Sequence, residues 1–131
     1  IKEKIRQKTI EFKLDPHIML RLAEKESQFD PKAVSNKQAK GLFQLTAITV
    51  QDIAERQGYI ITDVFDVDQN IHGAMLYFKY LTERYKNSPD SLKRIITAWN
   101  RGPTITPVTD LIDWNSIPDQ TKGLIKHVEG N

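Results

Sequence analysis

DVDQNIHGAMLYFKYLTERY, residues 66–85, is the stretch that decides the fold class. Ile71, Ala74, Met75, Phe78, Leu81 and Tyr85 recur at three- and four-residue steps, which places them on one face of a long helix. Asp66 with Gln69 matches a capping box that opens this helix. Tyr77, Tyr80 and Tyr85 read as core and boundary residues rather than as an exposed aromatic platform.

The same periodicity extends in both directions. Upstream, Ile1, Ile5 and Phe12 lie near one face of a first helix, and Asp15-Pro16 reads as an N-cap followed by proline in the first turn. Met19, Leu22, Ala23 and Glu26 then form one stripe of a second helix, which Pro31 stops from continuing. Residues 31–41 are polar and irregular. A third helix starts near Leu45 or Thr46, buries Val50, Ile53 and Ala54, and stops at Gly58. Residues 59–67 are rich in Ile and Val, so a short β-hairpin arm and a loop packed on the core are both open. Downstream, Ser88-Pro89 is expected to open a helix in the manner of Asp15-Pro16, with Leu92, Ile95, Ile96 and Trp99 inward and Gly102-Pro103 at its end. An irregular stretch to Pro118 and a last short helix complete an all-α pattern.

The 131 residues fit one domain, taken as residues 1–131, large enough for a core without staples. Cysteine is absent, which excludes disulfides, thiol catalysis and cysteine-based metal sites. His17, His72 and His127 are scattered without paired helical spacing, so neither a metal nor a cofactor is expected. The formal net charge of +2 suits an anionic polymer but falls short of the clustered basic signal of a nucleic-acid binder. No apolar run approaches the ~20 residues of a membrane span. The chain starts at Ile1 rather than Met, as in a mature product or excised domain whose targeting segment lies elsewhere.

Glu26 is the chemical anomaly. It follows an apolar stripe to the C-terminal end of its helix, where low dielectric and the negative end of the helix dipole both favour the protonated carboxyl. A general acid near neutral pH needs that state. A Glu at the stripe edge that reaches out to water reads the same way on this helix alone.

Glu26-Ser27, then Phe29-Asp30-Pro31, Ala33-Val34-Ser35, Ala39-Lys40-Gly41-Leu42-Phe43-Gln44-Leu45, Asn70-Ile71 with Gly73, and Ala98-Trp99-Asn100-Arg101-Gly102-Pro103 occur in that order. Together they resemble the catalytic domain of the soluble lytic transglycosylase family, which is related in fold to goose-type lysozyme. That family carries a Glu-Ser at a helix end, a Gly-Leu-Met-Gln segment, an Asn-Ile…Gly helix and an Ala-Tyr-Asn-x-Gly-Pro turn. The match runs with intact spacing from about Asp15 to Pro103 and more loosely to Val128.

The resemblance implies a lysozyme-like helical domain with a groove. It makes Glu26 the acid that protonates the oxygen between N-acetylmuramic acid and N-acetylglucosamine, and then the base on the muramic acid's own C6 hydroxyl. The product is a 1,6-anhydro end, formed without water as nucleophile, in a variant of glycoside cleavage that needs a single carboxylate. It further implies that Gln44, Ser35, Trp99, Asn100 and Gln120 bind the glycan, with Ser27 supporting the helix end. For Ser35 a plain turn residue, and for Asn100 a helix-cap role, stand as equal or serious competitors. Trp99 replaces a tyrosine whose hydroxyl lies near the acid; an indole cannot supply that oxygen but can stack on a sugar face. Thr46 replaces a methionine, Gln120 a groove glutamate and Leu124 a tyrosine.

The expected function is therefore a peptidoglycan lytic transglycosylase. Its partner is the glycan strand, its place the periplasm or the extracellular cell wall, and its expected state a monomer. A hydrolytic, goose-type muramidase and a weakly active wall-binding module are the competing readings; the changes at Trp99, Gln120 and Leu124 motivate the second.

Overall fold

The computed structural model describes residues 1–130. Its helices, in chain order, are α1 (Lys2–Glu11), α2 (Pro16–Ser27), α3 (Ala47–Gln57), α4 (Val67–Tyr85), α5 (Ser91–Arg101) and α6 (Asp119–Glu129), with a 3-10 turn at Pro103–Ile105. Their ends follow local chemistry. The Asp15 carboxylate accepts from His17 N at 2.8 Å and Pro16 takes the first turn of α2. Thr46 caps α3 by accepting from Thr49 N at 3.2 Å, and Gly58 closes it in the left-handed conformation. Asp66 caps α4 through Gln69 N at 2.9 Å.

The expected reciprocal arm of that capping box goes elsewhere, and this explains why residues 59–67 form no hairpin. Gln69 Oε1 accepts from Thr62 N at 2.8 Å and from Asp63 N at 3.1 Å, while Asp63 accepts from Phe65 N at 3.0 Å. Backbone donors that a β-ladder would use are met by side chains, and Ile61 is buried as the anchor of a packed loop. Gly73 gives Ile61 its place: a Cβ there would lie 2.6 Å from the Ile61 Cδ1. Among the described residues, β-pairing is confined to the isolated bridges Val34–Lys40 and Lys40–Leu45.

The expected start of α5 also moves. Ser88-Pro89 does not open it; the helix begins at Ser91, after Asp90 in the left-handed conformation and without a side-chain cap.

The chain is organised as two compact units, Ile1–Tyr77 and Phe78–Asn131, and α4 begins in the first and ends in the second. In the first, α1 packs on α2, with Ile5, Met19, Leu22, Ala23, Ile53, Ile71, Ala74 and Met75 buried. Thr9, also buried, donates to Ile5 O at 2.6 Å and approaches Met75 Sδ at 3.7 Å. His72 stacks against Tyr59 at 4.5 Å and meets Phe12 edge-on at 5.4 Å. In the second unit, α5 packs on α6 and on the 3-10 turn, burying Ile95, Ile96, Ala98, Leu124, Ile125 and Val128. Each Ile, Leu or Val among them contributes about 1.5–3 kcal/mol by leaving water. Leu92 and Trp99, expected inward, are half-buried; Arg94 and Thr97 take the inner positions.

Candidate active site

Glu26 occupies the last turn of α2 and is half-buried. The fully covered face of the helix runs through Met19, Leu22 and Ala23 to Ser27, so Glu26 stands on the edge of that stripe rather than in it. The chain then turns sharply. Gln28 and Phe29 are both left-handed, with φ of 55° and 62°, and Gln28 N donates to Glu24 O at 2.8 Å. Side chains with a Cβ pay about 1–2 kcal/mol each for this conformation, so the reversal must be held by its surroundings. Ser27 is part of the hold: its buried hydroxyl lies 2.8 Å from Leu42 O and 3.1 Å from Ala23 O, tying the helix end to the segment that carries Gln44.

That segment is a polar loop braced by its own backbone. Ser35 N donates to Ala39 O at 2.9 Å, and the Ser35 hydroxyl accepts from Lys37 N at 3.2 Å and Ala39 N at 3.1 Å. Ser35 is thus engaged as a turn residue; its hydroxyl oxygen works for the loop. Lys40 and Leu45 exchange backbone bonds of 3.0 Å, and Gly41 N donates to Ala33 O at 2.9 Å. Gln44 is itself left-handed, with φ 53°. Its Nε2 donates to Gly41 O at 2.9 Å and to Ala33 O at 3.1 Å. Both partners are carbonyls, so the NH2 end must face the loop, and Oε1 is the end left to meet a ligand. A free glutamine amide offers donors and an acceptor; here the fold reserves the donors.

Asn70, on the first turns of α4, locks this loop from beneath. It is 1% exposed. Its Oδ1 accepts from Phe43 N at 2.9 Å, and its Nδ2 donates to Val64 O at 2.8 Å and Lys40 O at 3.2 Å. Gly41, at φ +80°, lies so close that a Cβ would strike the Asn70 amide and come within 2.6 Å of Val64 O. In the sequence, Asn70 stands out only as part of Asn70-Ile71 with Gly73. Its place four residues before Ala74, on the buried face, is the signal that marks a polar group with a structural partner to find.

The second unit holds the other candidates. Trp99 is half-buried, its ring 5.8 Å from Phe78 at an interplanar angle of 59°. Asn100 Oδ1 accepts from the buried Thr121 hydroxyl at 2.7 Å, which joins α5 to α6. Gln120 precedes Thr121 in the first turn of α6 and is exposed. Leu124 is a core residue at 2% exposure. Gly102 ends α5 at φ +100°, its N–H on Ala98 O at 2.7 Å. Beyond it the irregular chain is held by two buried side chains that periodicity did not single out as anchors. Tyr85 donates its hydroxyl to Thr106 O at 2.7 Å. Arg94, 1% exposed, donates to Pro89 O at 2.6 Å and Pro107 O at 2.8 Å.

Among the described residues, no cluster of three His, Cys, Asp or Glu is placed to hold a metal, and no helix is long and apolar enough to cross a membrane.

Comparison with known proteins identifies relatives in sequence and in fold. The chain is 37% identical over 73 residues to membrane-bound lytic murein transglycosylase F of Desulfosudis oleivorans, covering 56% of this chain and 15% of that protein. It is 31% identical over 107 residues to membrane-bound lytic murein transglycosylase C of Photorhabdus laumondii, covering 75% of this chain and 30% of that one. The chain therefore spans less than a third of the length of either relative. In fold it is similar to an inactive mutant of lytic transglycosylase Slt from Pseudomonas aeruginosa, with a TM-score of 0.79 at 17% identity, over 96% of this chain and 22% of that one. The 70 kDa soluble lytic transglycosylase of Escherichia coli gives a TM-score of 0.77 at 19% identity with the same coverage. A model of the transglycosylase SLT domain matches residues 3–109, from α1 past the Asn100 turn, and the chain belongs to that family.

Proposed function

We propose that residues 1–131 form a single catalytic domain that cleaves peptidoglycan as a lytic transglycosylase, breaking the β-1,4 bond between N-acetylmuramic acid and N-acetylglucosamine. The observation that carries the reading is the placement of Glu26: a half-buried carboxyl at the end of α2, beside a strained reversal and tied through Ser27 and Leu42 to the loop of Gln44. Membership of the family and the names of the relatives support the same activity.

In this mechanism the Glu26 carboxyl gives its proton to the glycosidic oxygen as the C1–O bond breaks, and the N-acetylglucosamine side leaves as an alcohol. The carboxylate then takes the proton from the muramic acid's C6 hydroxyl as that oxygen bonds to C1. The proton returns to Glu26, no water is consumed, and the muramic acid ends as a 1,6-anhydro ring. Gln44 Oε1 accepts from a hydroxyl or acetamido N–H of the glycan. The family resemblance further assigns Trp99, with an apolar face for a sugar ring, and Asn100, Gln120 and Ser35 as glycan contacts. The partner is the glycan strand, at the cell wall in the periplasm or outside the cell, and the protein acts as a monomer without metal or cofactor.

Digestion of purified sacculi followed by mass spectrometry of the fragments tests the reading. Anhydro ends are expected, and Glu26→Gln should lower the rate by about 10²-fold or more while leaving the thermal transition in place. Fragments heavier by one water at the cleaved end would assign a hydrolytic muramidase instead. Equal clearing of sacculi by wild type and Glu26→Gln would leave a wall-binding module.

A further inference from the structure

We propose that Asn70 is the positioning residue of the glycan site: it fixes the loop of residues 40–45 so that Gln44 meets the ligand with its acceptor end only. The inference rests on Gln44 being a ligand contact, as in the proposed function. The proposed mechanism places no demand on the Asn70 side chain. Yet every polar atom of its buried amide is bound to this loop or its neighbour: Oδ1 to Phe43 N, Nδ2 to Lys40 O and to Val64 O. Phe43 directly precedes Gln44, and Lys40 is the residue whose backbone pairs with Leu45 directly after it. The amide therefore grips the loop on both sides of a left-handed Gln44, a conformation the residue does not favour by itself.

The consequence for Gln44 is directional. With the Phe43 N–H and Lys40 carbonyl pinned, the Gly41 and Ala33 carbonyls converge on Gln44 Nε2 at 2.9 and 3.1 Å. The amide cannot flip without facing its oxygen to two carbonyl oxygens. A released loop frees Gln44 to rotate, and the site then presents donor and acceptor in turn. Asn70 thus acts on binding through Gln44, and the chemistry at Glu26 is left alone.

Asn70→Asp is the informative variant, because it keeps the shape and the acceptor for Phe43 N but removes both donors. Soluble, uncrosslinked glycan strands are the substrate, and kcat and KM are measured for wild type, Asn70→Asp, Gln44→Ala and the double variant. Asn70→Asp should raise KM about tenfold, the scale of the one ligand hydrogen bond that Gln44 would lose, with kcat within about threefold. In the double variant the Asn70 change should add nothing to the loss from Gln44→Ala, since the two act through one contact. Equal falls in kcat and kcat/KM, or fully additive losses, would show that Asn70 only holds the fold. Hydrogen exchange of the Phe43 amide and the Gln44 side-chain NH2 gives a reading that needs no turnover. Both should be protected in wild type and exchange freely in Asn70→Asp, or in Asn70→Ser if the charged variant fails to fold. Fast exchange at both sites in wild type overturns the proposal, whereas absent cleavage with intact protection overturns the proposed activity alone.

Discussion

Asn70 in the first unit and Arg94 in the second do similar work by different chemistry. Each is 1% exposed, each projects from a helix, and each ties down irregular chain through backbone groups. Asn70 is neutral and satisfies donors and acceptors together, one N–H and two carbonyls. Arg94 is a charge that donates to two carbonyls, Pro89 O and Pro107 O. The difference follows from what the two loops lack. The backbone turns of residues 40–45 leave the Phe43 N–H to a side chain, and the neighbouring Val64 adds a carbonyl, so both kinds of group call for a partner. The segments around Pro89 and Pro107 contain residues without an N–H, so spare acceptors dominate and a donor-rich guanidinium fits them. A charge in the interior carries a desolvation cost that a neutral amide avoids.

The comparison is open to breaking. Asn70→Ala should cost most, about 3 kcal/mol, because the Phe43 N–H and the Val64 carbonyl lose their side-chain partner and Lys40 O is left with its bond from Leu45 N alone. Urea unfolding by circular dichroism should show the midpoint falling. Arg94→Met should cost less, about 2 kcal/mol, since the orphaned carbonyls are offset by release of a buried charge into a volume a methionine largely fills. If Arg94→Met proves the more damaging of the pair, the charge is a net stabiliser and the contrast drawn here is wrong.

Acid should separate the units more gently. Burial, and then the charge of Lys8, hold His72 below its ordinary value of 6.5, with Glu11 opposing. Its neutral form is favoured by folding, so its contribution is complete above pH 6.5 and falls as the pH drops toward the depressed folded value. Hydrogen bonds from the Ser116 hydroxyl and Asn115 N–H hold Asp113, in the second unit, below 3.8. Its contribution persists until the pH falls below 3.8. Amide exchange compared between pH 7 and 5 should therefore show weakening around Tyr59 and His72 while residues 113–116 are unchanged, and His72→Gln should remove the effect.

The smallest change expected is at Ser88, whose buried hydroxyl has no hydrogen-bond partner among the described residues. Ser88→Ala should shift stability by no more than about 0.5 kcal/mol, in the stabilising direction, because an unpaired polar group is exchanged for a methyl. A loss of 1 kcal/mol or more in the thermal transition would mean that the hydroxyl is satisfied in solution.

Legibility differs between the two regions in the same way. The α4 face of Ile71, Ala74, Met75, Phe78, Leu81 and Tyr85 is buried throughout, as its spacing requires. The caps at Asp15, Thr46 and Asp66 also stand where their side chains reach the next backbone N–H. The start of α5 was misplaced because Ser88-Pro89 carries the signal of a cap without its bond. Arg94 was passed over because an arginine between apolar residues reads as solvated until the carbonyls that bind it are seen.

Helical periodicity and capping chemistry determined the all-α class, the helix ends to within a few residues and Glu26 as a residue of interest, because they rest on contacts within a turn or two of chain, which spacing encodes directly. Gln44 was marked only by the resemblance of the ordered motifs to the family. Tertiary structure alone decided that Gln69 serves the 62–63 backbone in place of a hairpin, that Gln44 keeps only its acceptor, and that Asn70 and Arg94 are anchors. Those outcomes depend on which distant backbone groups are left unpaired, and the chain acquires such groups only when it closes on itself.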